Sequence, residues 1–138
     1  MGNAYHTHVY RLFAEAVIDG STYQLTEAQI TDGVDAPGEA TVVLATGATI
    51  PLEHWRGSQA LIHWGDDHGP DGGRFAGEVV AATLRDHAGT QAVELTVAPR
   101  LRRLQRSRAT RVFRRLELGP LVRALLADHD LGAGDCRF

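Results

Sequence analysis

The sequence predicts a mainly β protein, an antiparallel β-barrel followed by a C-terminal helical extension. Through the first hundred residues, apolar and β-branched runs of strand length alternate with Gly, Asp and Pro turn residues. The runs are short and joined by hairpin-type links, which is typical of antiparallel barrels and sandwiches rather than of parallel β-α-β units. After Pro99 the pattern changes to basic segments in which leucines recur at helical spacing.

Six segments have the composition of strands: 5–16, 23–31, 40–45, 59–64, 74–86 and 92–97. The first segment is followed by Asp19-Gly20-Ser21, a strong turn signal. In the second segment, apolar residues fall at both odd and even positions, so its inward face is not defined by alternation. The fifth segment predicts one shared face, which comprises Phe75, Gly77, Val79, Ala81 and Thr83. The sixth predicts a face of Val93, Leu95 and Val97.

Four further segments connect or follow the strands. Residues 50–55 do not alternate, which indicates a helical turn or a loop that crosses an end of the barrel. Residues 100–105 are basic with helical leucine spacing, and 111–113 suggest a brief extended piece. A helix is predicted over 121–127, with Gly119 as N-cap and Pro120 at the first helical position. Its apolar stripe comprises Leu121, Val122, Leu125 and Leu126.

Length and composition fit a globular chain of one domain or slightly more, with 138 residues, 43% apolar and 22% charged. No apolar run is long enough for a membrane span, and the N-terminus has no signal-peptide core, so we expect no stable membrane insertion. The single cysteine, Cys136, excludes an intrachain disulfide and any zinc site built on several cysteines.

The net charge of −3 conceals two opposite parts. Residues 1–99 contain 4 Arg and 13 acidic residues, whereas residues 100–138 contain 10 Arg and 4 acidic residues. This change from net negative to net positive charge predicts a boundary near Pro99. The predicted parts are a barrel domain over 1–99 and an Arg-rich connector with a short helix over 100–138. Because the chain stops abruptly, we expect the second part to begin a further domain that is missing here.

A metal site is the main alternative function. His54, His63 and His68 lie close to Asp66, Asp67 and Asp71 in the sequence. A zinc site needs three or four ligands in fixed geometry, and no spacing rule pre-organises this Gly/Pro-rich loop. The pattern favours a solvent-exposed hairpin loop over 65–73, next to a histidine, His63, in the preceding strand. A small metal- or ligand-binding barrel that uses the three histidines stays open as the alternative.

Enzymatic and nucleic-acid functions have less support. The sequence contains no G-x-S-x-G, H-E-x-x-H or paired-cysteine motif, and no serine has a local catalytic partner, so no catalytic residue is predicted. The arginines of 100–115 could contact phosphates, but Phe113 is the sole aromatic residue among them and the rest of the chain is acidic. These features favour contact with a protein partner over binding to nucleic acid.

The segments around Pro99 resemble a known family. Residues 74–79 (RFAGEV), then 93–104 (VELTVAPRLRRL) after a hairpin, match the order "r-F-x-G-x-V" and "Y-x-L-x-x-x-P-x-L-x-x-L". Residues 108–114 occupy the place of "s-R-I-F-Q", with Arg114 instead of glutamine, and a helix follows. This arrangement resembles the VgrG spike proteins of type VI secretion and the late-control hub proteins of contractile phage tails.

The resemblance implies a structural role without catalysis or cofactor. In that family, two barrels per chain in a homotrimer form a ring of six that matches a hexameric tube, either Hcp or a phage tail tube. The implied partners are therefore further copies, the tube protein and baseplate proteins. The implied location is cytoplasmic assembly followed by secretion or injection within the particle.

The motif assigns structural or assembly roles to seven residues: Phe75, Gly77, Pro99, Leu101, Leu104, Arg111 and Phe113. We expect Leu101, Leu104 and Phe113 to be buried under the barrel or against the helix. We expect Gly77 to face a crowded position that leaves no room for a Cβ.

Overall fold

Six antiparallel strands form a closed barrel in the order β1-β2-β3-β6-β5-β4. The computed structural model describes residues 13–33, 36–45, 51–65, 72–87, 89–108 and 110–132. The strands are β1 (Phe13–Ile18), β2 (Ser21–Thr31), β3 (Glu39–Leu44), β4 (Gln59–Gly65), β5 (Gly73–His87) and β6 (Thr90–Ala98). A helix, α1 (Leu118–Ala127), follows the barrel, so the predicted fold class is confirmed. The first part of the predicted strand 5–16 lies outside the described residues.

Every neighbouring pair of strands is antiparallel, so the starts and ends of the strands alternate between the two ends of the barrel. The turn end holds the β1–β2 turn, the β5–β6 turn and the start of β4. The exit end holds the last residue of β6, where the chain leaves the barrel. Among the helices of the described ranges, none is long and apolar enough to cross a membrane.

The inward faces of the strands form one apolar core. Val42, Leu44, Ile62 and Leu95 are fully buried in it, as the alternation predicts for half-buried strands. The turn end is closed by the 3-10 helix Leu52–His54 and by Trp55, which is 4% exposed. The predicted helical turn over 50–55 therefore corresponds to this plug.

Two β-bulges decide which residues face inward. The β2–β3 register shifts between Leu25 and Glu27, so Tyr23 and Leu25 pack on the core before the bulge and Ile30 packs on it afterwards. This change of parity explains why the alternation of β2 defines no face.

The second bulge corrects the prediction for β5. Phe75 and Val79 are buried as expected, but the β5–β6 register shifts between Val79 and Ala81. Ala82 then packs against the core in place of Ala81, and Thr83 is exposed. The expectation of one continuous inward face was wrong after Val79, because the extra residue of a bulge turns the strand over.

The segment after the barrel differs from the prediction in two places. Residues 111–113 pair with no described strand. Helix α1 begins at Leu118, with Glu117 as its N-cap, rather than after Gly119. The first intrahelical bond runs from the Leu121 N–H to the Glu117 carbonyl, so Pro120 lies in the first turn, where no N–H donor is required.

Candidate assembly site at the exit of the barrel

Pro99 marks the point at which β6 becomes the Arg-rich segment. It precedes the 3-10 helix Arg100–Arg106, and its carbonyl accepts a 2.9 Å hydrogen bond from the Arg102 N–H. Proline has no N–H to continue the strand ladder, and its fixed φ suits the start of a helical turn. The basic segment therefore turns immediately after leaving the sheet.

Arg102 and Arg103 then reach back to two strands that flank β6. Arg103 donates from Nε and Nη2 to the two carboxylate oxygens of Glu78 on β5, at 2.9 and 2.5 Å. Arg102 forms an ion pair with Glu39 at the start of β3. Because β6 lies between β3 and β5, the two arginines hold the connector across the exit end.

Glu78 is the most buried acidic group of this contact. Its residue is 8% exposed and its partner in the β5–β6 register is Ala98, the last residue of the barrel. The hydrogen bonds from Arg103 lower the pKa of the Glu78 carboxyl, against the opposing effect of burial. The same bonds raise the pKa of Arg103. Both groups are therefore charged at neutral pH.

A second contact joins the connector to helix α1. Arg111 forms an ion pair with Asp128, and Phe113 is half-buried in a cleft of about 320 Å³ that Leu104 and Leu125 also line. Arg100 Nη2 donates a 2.9 Å hydrogen bond to the carbonyl of Asp130, beyond the helix end. The structure thus brings Arg111, Phe113 and Leu104 together.

Leu101 does not follow the expectation of burial. It is 46% exposed and lies beside Gly77, Pro99 and Leu131 in an open cleft of about 400 Å³. The prediction was wrong for Leu101. In the 3-10 helix Arg100–Arg106, Leu101 lines this open cleft, whereas Leu104 lines the cleft that contains Phe113. Leu104 is half-buried, as is Phe113, so neither is as enclosed as expected.

Gly77 lies at a crowded position, as predicted. An added Cβ would lie 2.5 Å from the carbonyl oxygen of Ala98 and 3.0 Å from Val97 Cγ1. Phe75, two residues earlier, belongs to the barrel core. Gly77 and Phe75 therefore lie in or next to the part of β5 that packs against the last residues of β6.

The sequence pattern did not reveal the acidic partners of this site. Glu78 lies between Gly77 and Val79 in the family motif, where a carboxylate flanked by strand residues could have signalled an ion pair. The arginines of 100–115 were expected to contact a protein partner. Arg102 and Arg103 instead pair within their own chain, because the turn at Pro99 directs them back onto it.

The histidines of the alternative metal site are only partly described. His54 follows Glu53 at the turn end, whereas His63 lies on β4 beside Glu15 of β1 and Arg74 of β5. In the described ranges, no group of three or more His, Cys, Asp or Glu side chains could hold a metal ion. The remaining candidates, which are Asp66, Asp67, His68 and Asp71, lie outside those ranges.

The exit-end arrangement falls within the region that matches a family model described as phage tail baseplate hub (GPD), over residues 31–137. The chain belongs to this hub family. The match includes the β5–β6 hairpin, the arginine contact and helix α1. The resemblance of the sequence to contractile tail hub proteins is thereby confirmed.

A solved structure agrees with the hub fold. A tail protein from Neisseria meningitidis MC58 superposes with a TM-score of 0.53 at 12% identity and matches 75% of this chain. At that identity the likeness concerns the fold alone. The hub chain spans 29% of the length of that tail protein. No curated protein matches the sequence.

Proposed function

We propose that this chain is a structural part of the hub of a contractile injection apparatus, with its barrel docked to the tube. The observation that carries the proposal is the family match, which extends from the last residue of β2 through the rest of the barrel and over the arginine contact. The apparatus is either a phage tail or a VgrG-like type VI secretion spike. The tube is a hexameric protein, Hcp-like or a phage tail tube.

The physical features of the chain support a structural role. In a closed barrel each strand is hydrogen-bonded to a neighbouring strand on both sides. This arrangement suits a ring component under mechanical load. Among the described residues, Glu78 and Arg103 have clearly shifted pKa values, and they form an ion pair within the chain. The proposed role needs no catalytic step and no cofactor.

The proposal divides the chain at Pro99. Residues 1–99 form the hub barrel, and residues 100–138 form the connector, which carries a helix. The motif residues Phe75, Gly77, Pro99, Leu101, Leu104, Arg111 and Phe113 shape the join between the two. Three copies assemble around the axis of the tube and contact baseplate proteins. The complex assembles in the cytoplasm and leaves the cell within the particle.

The test is to locate a tagged chain in purified contractile particles by electron microscopy. The label should lie at the baseplate end of the tube, and depletion of the chain should leave particles without a complete baseplate. Label along the whole tube, or complete particles without the chain, would contradict the hub role.

A further inference from the structure

A polar cleft of about 400 Å³, which we call the turn cleft, lies beside the β1–β2 turn and the plug that follows Pro51. The proposed hub function gives it no role. Besides Ile18, its lining consists of polar or aromatic side chains, which are Asp19, Ser21, Tyr23, His54, Trp55 and Ser58. Its volume lies within the range of small-molecule sites, and the lining groups indicate which kind of ligand fits.

Trp55 brings to this cleft a buried N–H group that lacks an acceptor. The residue is 4% exposed, and its Nε1 forms no hydrogen bond with any described residue. The ring of Tyr23 packs edge-to-face against Trp55, with the ring centroids 5.1 Å apart. A ring face is only a weak acceptor, whereas buried indole N–H groups usually bond an oxygen atom. A ligand that brings an oxygen acceptor would therefore satisfy Trp55.

Asp19 supplies an exposed carboxylate in a fixed position. Asp19 and Gly20 have φ of +46° and +84°, as a tight hairpin turn requires. The Gln59 N–H donates to Asp19 Oδ1 at 3.1 Å, and the Asp19 N–H donates to the Gln59 carbonyl at 3.1 Å. No described residue donates to Oδ2, so this oxygen can accept a hydrogen bond from a ligand.

The charges around the turn cleft disfavour an ionic ligand. No described arginine lines it, since Arg56, the nearest in sequence to the plug, donates from Nε to the Val80 carbonyl. His54 is exposed, so solvent screens any positive charge on it. An anion would thus meet the Asp19 carboxylate without a compensating cation, and a cation would offer no acceptor to Trp55. A neutral ligand that both donates and accepts hydrogen bonds satisfies both groups.

The hydroxyl groups of the cleft favour a sugar over a peptide. Ser21, Tyr23 and Ser58 each carry a hydroxyl, which both donates and accepts as sugar hydroxyls do. The backbone N–H groups of Asp19 and Ser58 are already bonded to carbonyls of this chain. These positions give a peptide strand no ladder to extend, whereas a sugar needs none.

We propose that the turn cleft binds a neutral sugar through one pyranose ring. One sugar hydroxyl donates to Asp19 Oδ2, and the oxygen of another accepts from Trp55 Nε1. The C–H groups of the sugar pack against Ile18 and Tyr23. Because Nε1 is covered in the free protein, the Tyr23 ring tilts as the sugar enters, which changes the environment of the Trp55 indole. The site does not depend on the hub function of the chain.

NMR of the full chain tests the site through its tryptophan indole N–H signals. Trp64 lines a separate cleft with Ala14 and Ile30 and is the internal reference, and a Trp64→Phe variant assigns the signals. The probes are glucose, galactose, mannose and N-acetylglucosamine. At least one should shift the Trp55 signal, with saturation in the millimolar range, and leave the Trp64 signal in place. The 6-phosphate of that sugar should bind about tenfold more weakly, because no described arginine lines the cleft.

A matched pair of variants tests the role of Asp19. Asp19→Asn keeps an amide oxygen for the Gln59 N–H and tolerates the left-handed conformation, so the turn is retained. It loses the charged acceptor and should weaken sugar binding about tenfold. Asp86→Asn is the control, since Asp86 Oδ1 likewise accepts a turn hydrogen bond, from the Gly89 N–H at 3.1 Å, outside the cleft. It should leave the affinity unchanged.

Several outcomes would overturn the proposal. The cleft is no sugar site if none of the sugars shifts the Trp55 signal, or if the Trp55 and Trp64 signals shift alike. Equal losses of affinity in Asp19→Asn and Asp86→Asn would also contradict it. N-methylacetamide is the probe for a peptide amide, and saturation of the Trp55 signal by it but not by the sugars would assign the cleft to peptides. Because these measurements use the isolated chain, their failure leaves the hub function intact, and misplacement of the chain in particles leaves the sugar site intact.

Discussion

At the scale of residues, Glu78 determines where the connector attaches to the barrel. It is buried beside the last residue of β6, and both of its carboxylate oxygens accept hydrogen bonds from Arg103. Removal of one partner of a buried ion pair leaves the other charge without compensation. The attachment therefore depends on the charge of one side chain.

Glu78→Gln should lower the free energy of unfolding by about 1–2 kcal/mol at pH 7, since Arg103 is partly exposed and solvent screens part of the interaction. Because the pKa of Glu78 is lowered from 4.5, its contribution is present above that value and is lost as the pH falls through the folded-state pKa. Urea unfolding at pH 7 and at progressively lower pH checks this, and the stability difference between the two proteins should shrink as the pH falls. Glu53→Gln, at an exposed position, is the control; an equal loss there would contradict the assignment.

Phe113→Ala should cost about 2 kcal/mol, roughly half the loss of a fully buried phenylalanine, because the ring is half-buried beside Leu104 and Leu125. Chemical denaturation measures the loss. Val112→Ala, at the neighbouring 79% exposed position, should change stability by less than about 0.5 kcal/mol. Similar losses for the two variants would show that Phe113 has no packing role.

Gly77→Val should destabilise the barrel by about 2 kcal/mol or more, since the branched side chain would meet the Ala98 carbonyl. Ala76→Val places the same residue at the adjacent exposed position and should be tolerated within about 0.5 kcal/mol. Thermal unfolding of both variants gives the comparison. An unchanged melting temperature for Gly77→Val would mean that β5 and β6 separate at little cost.

At the scale of elements, bulges and helix ends set the geometry of the exit. Along β2 and along β5, the bulge changes which alternate residues face the core. Helix α1 ends with the Leu131 N–H bonded to the Leu126 carbonyl at 3.0 Å, and both leucines are buried. Asp130 has φ +57° in this turn, the left-handed conformation typical of a helix stop.

Asp130→Gly should stabilise α1 by up to about 1 kcal/mol, because glycine adopts a left-handed conformation without steric cost. The hydrogen bond from Arg100 is made to the backbone carbonyl and is retained. Amide exchange in α1, compared between the variant and wild type, measures the effect. Faster exchange in the variant would indicate that the Asp130 side chain has a role of its own.

At the scale of the whole molecule, the opposite charges of the two parts are used in two ways. Part of the connector charge is compensated within the chain by Glu39, Glu78 and Asp128. The opposite net charges of residues 1–99 and 100–138 also attract separate copies of the chain to one another. Exposed ion pairs contribute only about 0–1 kcal/mol each and weaken with salt, so charge alone holds copies together weakly.

The isolated chain should therefore associate weakly at low salt and be monomeric at high ionic strength. Light scattering across a salt series measures the change. A compact trimer that persists at high salt would show that the barrel has a hydrophobic interface of its own.

The sequence by itself determined the fold class, the strand order along the chain and the hub resemblance. These follow from local patterns: β6 alternates Val93, Leu95 and Val97, Asp19-Gly20 marks a turn, and the motif around Gly77 and Pro99 is contiguous. Local patterns are readable because backbone conformation and side-chain parity depend on neighbours in sequence.

Only the tertiary structure decided the closure of the barrel, the position of the bulges and the pairing of the arginines. Glu78 and Arg103 are 25 residues apart, and although a carboxylate flanked by strand residues can signal an ion pair, nothing local identifies Arg103 as its partner. Ala82 replaces Ala81 on the core because β6 fixes the register of β5. Leu101 stays exposed because the cleft that it lines with Gly77, Pro99 and Leu131 is open to solvent. Each of these outcomes depends on residues brought together from distant strands, and such contacts have no signature in a single sequence.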